Sequence, residues 1–111
     1  MNEDCIFCKI VKGEIPSSKI YEDDKILAFK DINPIAPVHI LVIPKKHINS
    51  FMELEDDELM VHINKTIKKV ATEVGVSEKG FRVVTNIGGD GGQAVKHLHY
   101  HILGGEKLPT R

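Results

Sequence analysis

The chain has 111 residues, of which 41% are hydrophobic and 28% charged, the profile of an ordinary water-soluble domain. Its formal net charge of −1, with Lys and Arg scattered along the chain, excludes the basic stripe of a nucleic-acid binder, and no apolar run reaches the length of a membrane span. Met1-Asn2-Glu3-Asp4 lacks the basic start and apolar stretch of a secretory signal. The expected location is therefore cytoplasmic, with no nucleic-acid and no membrane partner. One domain over residues 1–111 is expected, with a core modest enough that a metal or a partner subunit would add support.

Cys5 to Val11 is short and mostly apolar and predicts a short helix ended near Gly13. Pro16-Ser17-Ser18 turns the chain into a strand at Lys19–Glu22. Asp23-Asp24-Lys25 predicts a hairpin turn to a second strand, Ile26–Phe29, ending at Asp31. Pro34 and Pro37 hold the next loop in irregular structure, and His39–Pro44 follows as a strongly apolar strand stopped by its own proline. Leu59, Ile63, Ile67, Val70 and Val74 recur at helical spacing and predict the one long helix. Asp56, Asp57 and Glu58 suit its positive end, Lys68 and Lys69 lie in its later part, and Gly75 is placed to end it. Phe81–Thr85 predicts another strand, Gly88–Gln93 a glycine-rich loop, and His97–Leu103 the last strand. Strands with one principal helix and no repeated βαβ unit predict an α+β fold: an antiparallel β-sheet meander with one long helix and a short N-terminal helix.

The chemistry concentrates in the last strand. Residues two apart share a face, so His97, His99 and His101 line one side while Leu98, Tyr100 and Ile102 can enter the core. Packing does not explain three imidazoles in a row. Two readings compete: a metal site built on His-x-His, and nucleophilic catalysis by an imidazole of ordinary pKa about 6.5 that attacks without an added base. The glycine-rich loop just before them can bring backbone N–H groups to an anion, which favours phosphoryl transfer.

The run His97-Leu98-His99-Tyr100-His101-Ile102-Leu103 resembles the His-x-His-x-His-x-x signature of the histidine-triad (HIT) superfamily, with x apolar. The resemblance covers nearly the whole chain and is closest to the HINT-like branch of purine nucleoside phosphoramidases. It includes Ile6-Phe7, Tyr21–Asp24, Ala28–Ile32, Pro37–His47, Asn86 and Asp90–Gln93. It implies an antiparallel sheet with a helix pair per protomer, homodimers that join their sheets, and a purine nucleotide substrate.

The resemblance also implies roles. His99 would attack the α-phosphorus to give a covalent nucleotidyl-histidine. His101 would contact the phosphate, His39 would support the triad from a neighbouring strand, and Gln93 would lie near the scissile bond. Gly92 and Ala94 would offer backbone N–H groups to the phosphate. Asp31 would accept from the ribose hydroxyls, and Asn86 would bind near the ribose or phosphate. Ile6, Phe7, Ile10, Phe29, Ile32 and Leu41 would line the base pocket; without the resemblance, Ile6, Phe7, Phe29 and Leu41 read as core. His62, within the long helix, is assigned no role.

Cys5 and Cys8 make half of a structural zinc site, and no βαβ context supports a thioredoxin-like redox pair; free thiols are the remaining alternative. Some HIT proteins with this cysteine pair bind zinc through two Cys and two His, and the matching histidines are His47 and His97. Such a clip would tie together the N-terminal segment, the turn after the His39 strand and the final strand.

Two departures mark this chain. Ala94 stands where many HINT-like proteins have Ser, which removes a hydroxyl contact, and the tail Glu106–Arg111 is short and has no Trp. The expected activity is hydrolysis of purine nucleoside phosphoramidates. Dinucleoside polyphosphate hydrolysis or nucleotidyl transfer, non-catalytic nucleotide binding, and zinc-dependent hydrolysis by the triad are the competing readings.

Overall fold

Asp23 builds the first hairpin. In the computed structural model, which describes residues 4–109, its Oδ1 accepts from the Lys25 and Ile26 N–H groups, each at 2.8 Å, and closes the turn. The turn joins β1 (Lys19–Glu22) to β2 (Ile26–Lys30), and β3 (Val38–Pro44) continues the antiparallel sheet. Met1-Asn2-Glu3, read above for a targeting signal, and Thr110-Arg111 of the tail lie outside the described residues.

β2 and β3 read as unbroken apolar runs because both faces of the sheet are covered. Ile26, Ala28, Ile40 and Val42 face the long helix α2 (Asp57–Glu73). Leu27, Phe29, Leu41 and Ile43 face the other way and join Phe7, Cys8 and Ile10 of α1 (Ile6–Val11). The pairs Leu27–Ile43 and Phe29–Leu41 lie opposite one another in the ladder, so the second core is built from cross-strand neighbours.

α2 starts where Asp56 Oδ1 accepts from the Leu59 N–H at 3.1 Å, with Asp57 and Glu58 in the positive first turn. Leu59, Ile63, Thr66, Ile67, Val70 and Ala71 form its buried stripe. Gly75, at φ +81°, ends it, and the Val76 N–H donates back to the Ala71 carbonyl at 3.0 Å. A 3₁₀ turn at Phe51–Glu53 was not among the expected elements. Ser50 caps it, accepting from the Met52 N–H and donating to Glu53 Oε1 at 2.6 Å; the Ser-x-x-Glu spacing is its signal.

The sheet departs from simple succession after β3. β4 (Arg82–Val84) takes the edge and β5 (Tyr100–Gly104) lies between β3 and β4, giving the order β1-β2-β3-β5-β4, antiparallel throughout. β5 begins at Tyr100, three residues later than the expected His97. The Leu98 N–H instead donates to the Ile48 carbonyl, outside the sheet, at 2.7 Å. No helix among the described residues is long and apolar enough to cross a membrane.

Gly104 closes β5 where a side chain has no room: a Cβ would lie 2.9 Å from Val76 Cγ1 and 3.3 Å from Phe81 Cβ. Gly89 faces open space. Gly104→Ala should therefore cost about 1–3 kcal/mol of stability in urea unfolding, through overpacking. Gly89→Ala should change it by less than about 0.5 kcal/mol. Equal midpoints for the two variants would contradict this account of the β5 terminus.

Candidate functional site

The three histidines keep their alternation although only His101 lies within β5. Leu98 and Ile102 belong to the α2-side core and Tyr100 packs against it, so the imidazoles turn to the α1 side. There His97 and His99 are buried and His101 is half-buried. Phe7 of α1 supplies their apolar wall. Its ring meets His99 edge-on at a centroid distance of 5.1 Å, His97 at 5.9 Å and Phe29 at 5.7 Å. His39 comes from β3, one diagonal step from His101 in the ladder, where Leu41 is opposite His101.

Backbone partners determine where the protons sit. His99 Nδ1 lies 2.7 Å from the His97 carbonyl, which can only accept, so Nδ1 carries the hydrogen and Nε2 keeps a bare lone pair. The Ile35 N–H donates to His39 Nδ1 at 3.1 Å, which puts the proton of that ring on Nε2. His39 Nε2 then donates to His101 Nδ1 at 2.9 Å, and the remaining hydrogen of a neutral His101 lies on its Nε2. Burial pushes His101 down to about 4 from an ordinary 6.5, with His99 and His39 adding to the shift and Asp31 opposing it. Burial also lowers His39, against the pull of the Asp31 carboxylate.

A second cluster adjoins the first. Cys5 Sγ lies 3.3 Å from His97 Nδ1; Cys8 Sγ lies 3.2 Å from His47 Nδ1 and 3.5 Å from His97 Nδ1. The four ligand atoms all fall within 4.8 Å of one another. Tetrahedral zinc with bonds of about 2.3 Å to sulfur and about 2.0 Å to nitrogen separates such atoms by about 3.5 Å, so the spacing fits. The far nitrogens fit too. His97 Nε2 donates to the Pro44 carbonyl at 2.8 Å and His47 Nε2 to Asn49 Oδ1 at 2.9 Å, which leaves both Nδ1 lone pairs aimed at the sulfurs. Burial raises the Cys5 thiol above its ordinary range, and its thiolate persists there only beside a cation. Burial holds His97 at about 4, the Pro44 carbonyl acting against it.

Asp31, His39 and His101 also cluster at ligand distance. A metal there would need a bare Nε2 on His39, and the Ile35 N–H on Nδ1 keeps the proton on Nε2. This second group therefore does not fit a metal as it stands.

The remaining expected site residues divide. Phe7, Ile10, Phe29 and Leu41 form one apolar cluster beneath the histidines, whereas Ile6 is 45% and Ile32 87% exposed and neither belongs to it. Asn86 Nδ2 donates to the Gly91 carbonyl at 2.8 Å, within the glycine loop. Gln93 braces the same loop. Its Oε1 accepts from the Gly88 N–H, and its Nε2 donates to the Asn49 carbonyl at 2.6 Å and the Val95 carbonyl at 2.9 Å. The Gly92 N–H is engaged by the Gly89 carbonyl at 3.1 Å. The Ala94 N–H has no hydrogen-bond partner among the described residues. Sequence reasoning missed Ile35, whose contribution is a backbone amide and leaves no signal. It also missed Asn49, whose place two residues after His47 could have marked it.

Residues 12–108 match the HIT domain family. An uncharacterised HIT-like protein of Synechococcus elongatus is 51% identical over 110 residues, spanning 97% of this chain and 96% of that protein. A solved histidine triad protein of Clostridium difficile has 57% identity and a TM-score of 0.95, covering 100% of this chain and 98% of its own. A HIT family hydrolase of Clostridium thermocellum, with 48% identity, gives the same score and the same coverage.

His39 and His101 are held below the ordinary imidazole value in the fold, so the unfolded chain takes up protons first as pH falls. Their contribution to stability is full above about 6.5 and is lost as pH drops from there towards 4. Urea midpoints should decline across that window, and His101→Asn should flatten the decline. An unchanged slope in the variant would contradict the buried, neutral assignment.

Proposed function

Since the chain belongs to the HIT domain family, we propose that it is a single-domain hydrolase of purine nucleoside phosphoramidates with His99 as its nucleophile. The observation that carries this reading is the 2.7 Å contact between His99 Nδ1 and the His97 carbonyl, which leaves Nε2 free to attack. Structural relatives named as HIT family hydrolases support the hydrolase class.

The reaction then runs in two displacements. His99 Nε2 forms a bond to the α-phosphorus as the phosphorus–amine bond breaks, and the amine leaves with a proton taken from solvent. The positive charge on the nucleotidyl-imidazole rests on the Nδ1–H, against the His97 carbonyl. His101 Nε2–H holds a phosphoryl oxygen, and His39 orients the His101 ring through its 2.9 Å bond. Water next attacks phosphorus and gives a proton to solvent, the bond to His99 breaks with its electron pair returning to Nε2, and the nucleoside monophosphate is released.

In this reading the Ala94 N–H takes the phosphate, and Gln93 and Asn86 keep the loop in shape for it. Gly92, at φ +81°, gives the turn its left-handed residue. Phe7, Ile10, Phe29 and Leu41 would back the base, and the exposed Ile6 and Ile32 would complete its pocket. Asp31 receives the ribose hydroxyls. With Ala at position 94, the leaving group meets no side-chain hydroxyl there. A homodimer belongs to the reading: β4 is a sheet edge, and its Val83 is exposed.

Cys5, Cys8, His47 and His97 would hold zinc. The ion would supply a tetrahedral clip between the N-terminal segment, the turn after β3 and the chain entering β5, and no chemistry at phosphorus. Purified protein should contain about one zinc per chain, and chelation should lower the unfolding midpoint together with activity. Metal-free protein of full stability from a zinc-replete preparation would end the zinc assignment.

His99→Ala should lower kcat for an adenosine phosphoramidate by about a thousandfold or more. Intact-mass spectra should show a transient adenylyl adduct in the unaltered protein and none in the variant. Full turnover by the variant would overturn the nucleophile, and turnover of dinucleoside polyphosphates alone would overturn the substrate class.

A further inference from the structure

The Asp31 carboxylate reaches His39, which orients the triad, as well as lying at the sugar subsite proposed above. Its Oδ1 accepts from the Asn33 N–H at 2.8 Å, which anchors one oxygen to the loop. Its Oδ2 stands 3.3 Å from His39 Nε2, and the same Nε2 stands 2.9 Å from His101 Nδ1. His39 has only one hydrogen to give in these directions, because the Ile35 N–H already occupies its Nδ1. Two acceptors, one an anion and one an imidazole nitrogen, therefore compete for one N–H. The His39 side chain is almost wholly buried, whereas that of Asp31 keeps 19% exposure, enough for Oδ2 to be approached from outside.

We propose that Asp31 is a positioning residue that couples sugar recognition to the triad: ribose hydroxyls donate to Oδ2, and the N–H of His39 then passes wholly to His101. The inference rests on the phosphoramidase reading. No covalent bond changes in this step; one hydrogen-bond acceptor is exchanged for another. A fully bonded Nδ1 fixes the plane of the His101 ring and aims its Nε2–H at the phosphoryl oxygen. Sugar hydroxyls remote from phosphorus thereby act on kcat as well as on KM.

The test compares adenosine 5′-phosphoramidate with its 2′,3′-dideoxy analogue, using the full chain and Asp31→Ala. In the unaltered protein, loss of the hydroxyls should lower kcat by about tenfold in addition to raising KM. In Asp31→Ala the two substrates should share one kcat, and the dideoxy substrate should turn over faster than it does with Asp31 present, because the competing acceptor is gone. Equal kcat values for both substrates in the unaltered protein would overturn the coupling while leaving the phosphoramidase reading intact. A further fall in kcat for the dideoxy substrate in the variant would also overturn it. No turnover of either substrate by the unaltered protein removes the phosphoramidase reading and the coupling with it.

Because Asp31→Ala also releases the Asn33 N–H, a measurement on the unaltered protein accompanies it. Imidazole nitrogen NMR shifts of His39 and His101 should move when adenosine binds and stay in place when 2′,3′-dideoxyadenosine binds. Identical responses to the two nucleosides would overturn the proposal.

Discussion

A carbonyl oxygen accepts hydrogen bonds and donates none, and that asymmetry orders both histidine clusters. The Pro44 carbonyl takes the Nε2–H of His97, the side-chain oxygen of Asn49 takes that of His47, and the His97 carbonyl takes the Nδ1–H of His99. Each contact leaves the opposite nitrogen bare. Two of those lone pairs converge on sulfur, and the third, on His99, has no hydrogen-bond partner among the described residues. His97 works in both directions at once, its ring turned to the cysteines and its backbone oxygen to His99. Residues of one kind, two positions apart, thus acquire different chemistry from the backbone groups they meet.

The covered sheet is what brings those groups together. Because β2 and β3 are buried on both faces, α1 must lie against the side opposite α2, and six helical residues are enough to do it. Cys5 caps that helix, its Sγ accepting from the Cys8 N–H at 3.3 Å, while Phe7 points between the two histidine clusters. The short helix is therefore the common wall of both. Its own contacts are apolar on the strand side and ligand-bearing at the start.

Much of this was legible from residue type and spacing. Asp23, Pro44 and Gly75 each change what the backbone can do locally, so β2, β3 and α2 fall within a residue or two of expectation. The start of β5 was not legible, because period-two alternation marks extended chain whether or not it is paired. Leu98 continues the inward pattern while its N–H bonds to Ile48 rather than to a strand. The position of β4 on the edge was hidden for a related reason: three residues of strand carry no mark of their neighbour. At the site, Cys and His announced themselves by chemistry. The assignment of protons rests on the Ile35 N–H and the Pro44 and His97 carbonyls, backbone groups that residue type does not mark, and on the Asn49 side chain. Gln93 was expected from the resemblance to lie near the scissile bond; its three hydrogen bonds to the main chain were not legible.

Those bonds join two parts of the molecule that are far apart in the chain. Asn49 gives its side-chain oxygen to His47 and its backbone oxygen to Gln93, so one residue is held by the cysteine–histidine cluster on one side and by the glycine loop on the other. A loop with Gly at positions 88, 89, 91 and 92 would otherwise sample many shapes. Here its far end is pinned to Asn49, beside the cysteine–histidine cluster. The length of the loop is consequently not a free variable: inserting or deleting one residue between Gly88 and Gln93 would break the span to Asn49, whereas exchanging one exposed side chain for another would not. The span to Asn49 thus tolerates a change of side chain at this rim and not a change of length.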